Sequence, residues 1–564
     1  MMKTDRDLFK TYRWGMIYAV LAACAFVLSV IMRPIAWNQE PYKQIRLSVF
    51  TFKNLILFLG TAAIFFLLWK ILFRLWNKKI FLKKNDAKGV FKKTFFFVLP
   101  FWDMAWMIHF PGTGMNDTVN IIDHAIDGLQ PLLHSLLVNL VIHKAEKITG
   151  SMLTGYAVYV LLQMIVFAAI VAYTAEWLAK RGVRKKVLIA YNVFFAITPI
   201  VANYAIVIVK DSLYSYVTLL ILPCIIDMTD TGGGWIKSER NDLLFTIALM
   251  AVAFMRSNGE LIAFIVLLYC IVKFDRLRGI FIRDLVLLVM ISELLSTVKS
   301  NALQEDISFR EAMSVPMVQM AAVVANEGKI SEEQIQTLEK FAPISIWRDK
   351  YSFSNVDVVK FSGEFNNQYL NENKAEFLKI WLELGVQNVP LYIRSYLFHM
   401  YGFWNLNSSN QWGWGGGQSI FFTTCNNTSG AWWNEYVTEH GFDNRGIFEN
   451  RVSQALKDRY RYIFVFLGGG QLFWILLLLI SFCAQKKAGN AIVLGVMLLN
   501  WGSMMGAAPI SYAYRYVFYL VVCLPFLLIY FKTENERQTI ENWEKKEDED
   551  EQECIKKGDS RSKS

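Results

Sequence analysis

Apolar positions along this chain fall in runs of roughly 17 to 25 residues bounded by charged loops, the length a helix needs to cross about 30 Å of hydrocarbon. Such runs occupy residues 14–32, 54–76, 93–109, 153–178, 187–209, 212–228, 242–255, 260–272, 285–298, 460–482, 491–505 and 514–531. The pattern predicts an all-α polytopic membrane protein of about twelve transmembrane helices. Residues 299–459 break it with shorter helical patterns, in EAMSVPMVQMAAVVANEG, ISEEQIQTLEKF and AEFLKIWLELGV. An aromatic and glycine-rich stretch, GFWNLNSSNQWGWGGGQSIFF, follows them. This segment reads as a small, mostly helical exterior domain. From Lys532 onward the chain is mixed charge with almost no apolar content, and a tail of that kind is expected to stay disordered.

Composition agrees with the pattern: 54% of residues are hydrophobic, 19% are charged, and the mean hydropathy is +0.30. The formal net charge of +10 does not indicate nucleic acid, because Lys and Arg collect beside the apolar runs. They act as topology signals. The loops NKKIFLKKNDAKGVFKK, AKRGVRKK, KFDRLRGIFIR and CAQKKAGN carry the strongest bias and are expected on the cytoplasmic side of the plasma membrane, with both termini. No small-residue cleavage motif follows the first run, which therefore reads as an anchor. The expected order is a cytoplasmic N-terminus (1–13), a transmembrane catalytic module (14–298, with an outer loop at 110–152), the exterior domain (299–459), the last membrane helices (460–531) and a cytoplasmic tail (532–564). Seven cysteines show neither a disulfide framework nor metal-ligand spacing. There is no GxxxxGK[ST] loop for a nucleotide and no HExxH-like histidine pair.

Candidate chemistry gathers on the outer side. After the turn PGTG, Val119, Ile122, Ile126 and Leu129 recur at helical spacing, which predicts a helix lying along the interface up to Gly128. Beyond Pro131 a second apolar stripe begins at Leu132. Asp117 precedes the first of these helices. It suits a helix N-cap, and equally a general base in a partly dry cleft, where desolvation raises a carboxylate's basicity. Asp103 lies inside the third run, where an acid is either functional or reaching water, and so stands as a possible accessory acid. His134, on the second interfacial helix, reads as a surface histidine or as a substrate contact. Lys210 and Asp211 interrupt a long apolar run, Arg256 precedes SNG, and Tyr514 and Arg515 lie in SYAYRY. Outward-facing cations fall outside the positive-inside rule. They suit a lipid phosphate or simply snorkel to the interface.

The order of these pieces resembles the GT-C class of integral-membrane glycosyltransferases, and within it an uncharacterised bacterial family. The residues that carry the likeness are Phe110, Pro111, Gly112 and Asp117, the QPLLHSLL block with Pro131 and His134, and KDS at Lys210 to Ser212. RSNG at Arg256 to Gly259, SVPMVQMA at Ser314 to Ala321 and YRY at Tyr514 to Tyr516 complete it. The resemblance implies transfer of a sugar from a polyprenyl-phosphate donor to an envelope glycan, lipid or protein acceptor on the outer face. Asp117 then takes the position of the family's acidic catalytic residue, with Lys210, Arg256 and Arg515 at the donor phosphate. A divalent cation, Mg or Mn, is compatible with the class. The chain departs from the expected pattern at QPLLH and in carrying Asp103. Two other readings stand beside this one. An envelope polysaccharide ligase or polymerase would centre on Arg394, His399 and His440, and a transporter would show related halves, which are not visible here.

Overall fold

Each of the twelve apolar runs falls wholly or partly on a helix, yet the helices differ in their capacity to span a bilayer. The computed structural model describes residues 5–38, 48–78, 81–82, 87–114, 116–126, 128–303, 306–406, 468–511 and 513–561. Among these, six helices are long and apolar enough to cross a membrane, and a seventh crossing results if one bent pair counts as a single span. They are the helical stretch Tyr12–Met32 within α1 (Asp5–Asn38), α2 (Phe52–Trp76), α6 (Met152–Lys180), α9 (Lys210–Asp230), Gly469–Lys486 and Tyr514–Thr539. The bent pair is α7 (Lys185–Ile197) and α8 (Pro199–Ile206), which meet at 55°. That is the build of a multi-pass membrane protein.

The remaining runs form α3 (Val90–Ile108), α10 (Glu239–Phe254), α11 (Gly259–Lys273), α12 (Arg278–Ala302) and Ile492–Ala507. Two of these, α3 and α12, have the length but carry too much charge or too little apolarity, and the others are short. No strand occurs among the described residues; the only pairings are three isolated bridges. On α2, Leu55, Leu59, Ile64 and Leu67 are exposed apolar side chains, which suits a helix facing lipid. By contrast α9 and the last helix are buried among their neighbours and form the centre of the bundle.

The loop region 110–152 is folded more tightly than its pattern predicts. The first short helix, α4 (Asn116–Asp123), stops well before Gly128. The turn after it is held by lysines: Lys299 Nζ donates to the Gly128 carbonyl at 2.6 Å, and Lys210 Nζ to the Leu129 carbonyl at 3.4 Å. The second, α5 (Leu132–Thr149), runs along α6 at close quarters. A Cβ on Gly155 would stand 2.4 Å from the Ile142 carbonyl oxygen, so glycine sets that approach.

The segment 306–406 is helical as expected, around the wholly buried Ser314–Ala325 helix. The aromatic and glycine-rich stretch lies almost entirely outside the described residues.

The first turns of the tail depart from its expectation. The last helix runs Phe518–Arg561, and Lys532, Thr533, Asn535 and Glu536 are buried. Here polar bonds supply what apolar burial does not. Glu536 accepts the backbone N–H groups of Phe81 and Leu82 at 2.9–3.0 Å, and the Lys532 ammonium donates to Glu536 at 2.7 Å and to the Lys78 carbonyl. At the same end of the bundle Arg181 bonds Asp227 at 2.8 Å and Asp230 at 2.6 Å. Described residues of three Lys- and Arg-rich loops lie there: the Arg184 N–H donates to the Phe81 carbonyl, and the Asn490 amide to Asp230. The candidate residues sit at the opposite end of α9, about 30 Å away along 21 residues.

Candidate functional site

The site is assembled where a helix is interrupted. Between α8 and α9 the chain is extended from Val207 to Val209, which leaves backbone groups without helical partners. The side chain of Gln163 donates to the carbonyls of Ala205 and Val207, both at 2.9 Å. The FPGTG turn and α4 supply further bonds. Thr113 N–H donates to Ile206 at 3.1 Å, Thr113 pairs with Val207 as a parallel bridge, and the Thr118 hydroxyl donates to the Ile208 carbonyl at 2.7 Å.

Gly112 has φ +144°, and a Cβ there would lie 2.8–2.9 Å from Tyr156, Val160 and the Ile206 carbonyl oxygen. Only glycine brings the turn this close. The pairing fixes Asp117, at the start of α4, beside Lys210 and Asp211, at the start of α9.

Two further turns converge on this point. Gly259 opens α11 with its Cα so near the Val252 carbonyl that a Cβ would be 1.9 Å from the oxygen, and this tight corner presents Arg256. The 3₁₀ turn Tyr514–Val517 presents Arg515 ahead of the last helix. Arg515 Nη1 lies 2.5 Å from Asp117 Oδ2, and its Nε lies 4.0 Å from Asp211 Oδ2. Arg256 Nε is 3.2 Å from Asp211 Oδ1, its Nη1 donates to the Tyr516 carbonyl at 3.3 Å, and its guanidinium lies over the rings of Tyr214 and Tyr516. Three cations, Lys210, Arg256 and Arg515, therefore face two carboxylates, Asp117 and Asp211, and the cluster carries a net charge of +1. Asp211 is 1% exposed, which fixes it as the internal counter-ion.

Asp117 differs from the expectation of a carboxylate made more basic by burial. Burial does push it up, but Arg515 and Lys210, together with hydrogen bonds from Arg515 and Gln130, outweigh that and hold the carboxyl below its usual range. His134 is fully buried rather than a surface residue, and neither ring nitrogen has a hydrogen-bond partner. Burial, with Lys210 nearby, pushes its imidazole down to about 3, so the ring is neutral and offers one donor and one acceptor. The hydroxyls of Ser135, Ser212 and Tyr514 are also buried and unpartnered. Unpaired buried polar groups of this kind are costly unless a ligand uses them.

The predicted residues Asp117, His134, Lys210, Asp211, Arg256, Tyr514 and Arg515 thus come together at one end of the bundle. Asp103 does not join them: among the described residues no hydrogen bond or ion pair links it to the cluster. His399 serves a different purpose. Its two ring nitrogens lie 2.8 Å from the Phe353 and Ala508 carbonyls, which ties the 306–406 unit to the turn before Tyr514. His440 lies outside the described residues. No group of three or more His, Cys, Asp or Glu among the described residues is arranged to hold a metal ion. The two carboxylates of the cluster are taken by arginines, so no divalent-ion role is assigned to them.

Two participants are not evident in the sequence. Gln130, 3% exposed, bonds to Asp117 from within the QPLLH block. Asp357 is brought toward Arg515 and Tyr516 because Ser354 and Val356 pair with Ser511 and Pro509 through backbone bonds of 2.8 and 3.0 Å. Burial pushes the Asp357 carboxyl up against the pull of Lys360, which lies 3.6 Å away. No local motif marks Asp357, and only the long-range pairing reveals it.

One family model, a family of unknown function (DUF6020), matches residues 129–548, more than half of the chain. The match includes Gln130, His134, Lys210, Asp211, Arg256 and Arg515 and begins after Asp117. No curated protein and no solved structure matches the chain.

Proposed function

The chain thus belongs to the DUF6020 family, and we propose that it is a GT-C-like glycosyltransferase of the plasma membrane that moves a sugar from a polyprenyl-phosphate donor to an envelope acceptor. In this reading all twelve apolar runs cross or enter the bilayer, both termini are cytoplasmic, and the site opens on the outer face. One observation carries the proposal: a partly buried cluster of Lys210, Arg256 and Arg515, net +1 with Asp117 and Asp211, beside unpartnered hydroxyl and imidazole groups. Such a cluster suits the single negative charge of a phosphodiester, and the neutral polar groups suit a hydroxylated ring.

The chemistry follows from the charges. The acceptor hydroxyl oxygen forms a bond to the anomeric carbon while the bond from that carbon to the phosphate oxygen breaks. The lipid phosphate leaves with the electron pair, and the cations stabilise the charge it gains. The acceptor proton passes to Asp117. Asp211 holds the two arginines in register.

The test is deletion of the gene followed by mass spectrometry of lipid-linked sugars and envelope glycans. One lipid-linked sugar should accumulate and one glycan should disappear, with restoration by the wild type and not by Asp117→Asn. An unchanged glycan and lipid profile would overturn the reading; full restoration by Asp117→Asn would remove Asp117 from the chemistry.

A further inference from the structure

Asp117 and Arg515 each have a role toward a ligand, yet they are bonded to one another. The pair is close, 2.5 Å, and only 19% and 13% exposed, so it is stronger than an ordinary surface ion pair. The two carboxylates within 4.0 Å of Arg515 are fixed, and Asp357 lies farther out. Asp211 is buried on the first turn of α9, and Asp117 stands beside Thr118, whose hydroxyl is anchored to Ile208.

Arg515 is the adjustable member. Its guanidinium lies 5.2 Å from the centre of the Tyr516 ring and its Nη2 is 3.5 Å from the Tyr516 hydroxyl, a support that does not depend on Asp117. A phosphate entering beside Lys210 and Arg256 therefore competes with Asp117 for the same guanidinium.

We propose that Arg515 is a positioning residue that changes partners: the phosphate of a lipid-linked ligand takes its guanidinium from Asp117 and leaves that carboxylate free to accept the acceptor's proton. This rests on the phosphate reading above. With Arg515 and Lys210 both neutralised by the ligand, the burial that already pushes the Asp117 carboxyl up prevails. The base is then weak without donor and strong with it, so a water molecule reaching the site alone finds no competent base. Ligand binding takes up a proton at pH values between the resting and the ligand-bound pKa of Asp117, and affinity rises as pH falls through that interval.

The test uses the full chain in nanodiscs and a monoanionic probe, farnesyl methyl phosphate, whose charge does not titrate in the range used. Calorimetry in buffers of different ionisation enthalpy should show proton uptake for the wild type and none for Asp117→Asn. Asp117→Asn and Asp117→Ser should both bind the probe about tenfold tighter, the factor expected when a charged hydrogen bond no longer has to be exchanged. In an Arg515→Ala background that gain should largely vanish. A gain that persists there would mean simple charge repulsion and overturn the exchange, as would unchanged or weaker binding by both Asp117 variants.

Lys210→Met and Arg256→Met separate this from the parent reading. If they leave probe binding unchanged, the phosphate site itself is wrong; if they weaken it while Asp117→Asn does not tighten it, only the exchange fails. Dimethyl phosphate, run in parallel, should bind more weakly. Equal affinity would assign the site to a free phosphate compound and overturn the lipid-linked ligand.

Discussion

Removing the internal counter-ion is the sharpest perturbation of the cluster. Asp211 is 1% exposed, 3.2 Å from Arg256 and 4.0 Å from Arg515, whose side chains are themselves only 12% and 13% exposed. Breaking one partner out of a buried pair costs about 3–5 kcal/mol, because the remaining charge is left uncompensated. Asp211→Asn leaves two arginines in that state, but Arg256 keeps the Tyr516 carbonyl and its two aromatic faces, and Arg515 keeps Asp117. The expected loss is therefore about 2–4 kcal/mol, below the full cost of a broken buried pair because the arginines keep these other partners. Thermal unfolding in nanodiscs, followed by tryptophan fluorescence at one scan rate, should show a drop of several degrees. Glu146→Gln, on an exposed pair with His143, is the control and should change stability by less than about 0.5 kcal/mol. A phosphodiester probe should stabilise Asp211→Asn more than the wild type, because the ligand anion replaces the lost carboxylate. An Asp211→Asn melting curve that coincides with the wild type, with no extra rescue by the probe, would refute the assignment of Asp211 as the counter-ion.

Three other perturbations test the scaffold. Gly112→Ala places a methyl within 2.8–2.9 Å of Tyr156, Val160 and the Ile206 carbonyl at φ +144°, so it should uncouple the FPGTG turn from α8. The expected result is a loss of probe affinity exceeding the loss of stability, which is about 1–3 kcal/mol for a strained backbone position. His134 sits at about 3 against an ordinary 6.5, so between those values the unfolded chain binds more protons than the folded one. The fold should accordingly lose stability as pH falls through that window, by at most several kcal/mol, and His134→Asn should show a shallower slope in unfolding scans from about pH 7 to 4. Glu536→Gln weakens the bonds to Phe81, Leu82 and Lys532, and limited proteolysis should then cut near residues 77–93 faster than in the wild type.

The parts legible in the sequence are those that depend on local pattern or on charge in an apolar setting. The apolar runs mark the helices, and the cations at Lys210, Arg256 and Arg515 stand out because each interrupts or abuts such a run. What the pattern does not carry is how those cations are neutralised. Asp211 reads as half of a hairpin dipeptide, and only the fold shows it between two arginines. Asp117 reads as a carboxylate sharpened by burial, whereas Arg515, 398 positions later in the chain, reverses the direction. The tail fails for a related reason. The rule that predicts disorder counts apolar burial, while Glu536 gains its order from two backbone N–H groups in a loop far from it in sequence. In each case the decisive interaction is a charge meeting a group that is distant in sequence. The consequence for the site is specific: the same distance that hides the Asp117–Arg515 bond from sequence reading places its two halves on separate elements. The FPGTG turn is tied to the end of α8, and the segment that precedes the Tyr514–Val517 turn is tied to the 306–406 unit through His399 and Ala508. A ligand that draws Arg515 from Asp117 therefore also loosens a direct side-chain link between the 110–152 loop and the turn that leads into the last helix.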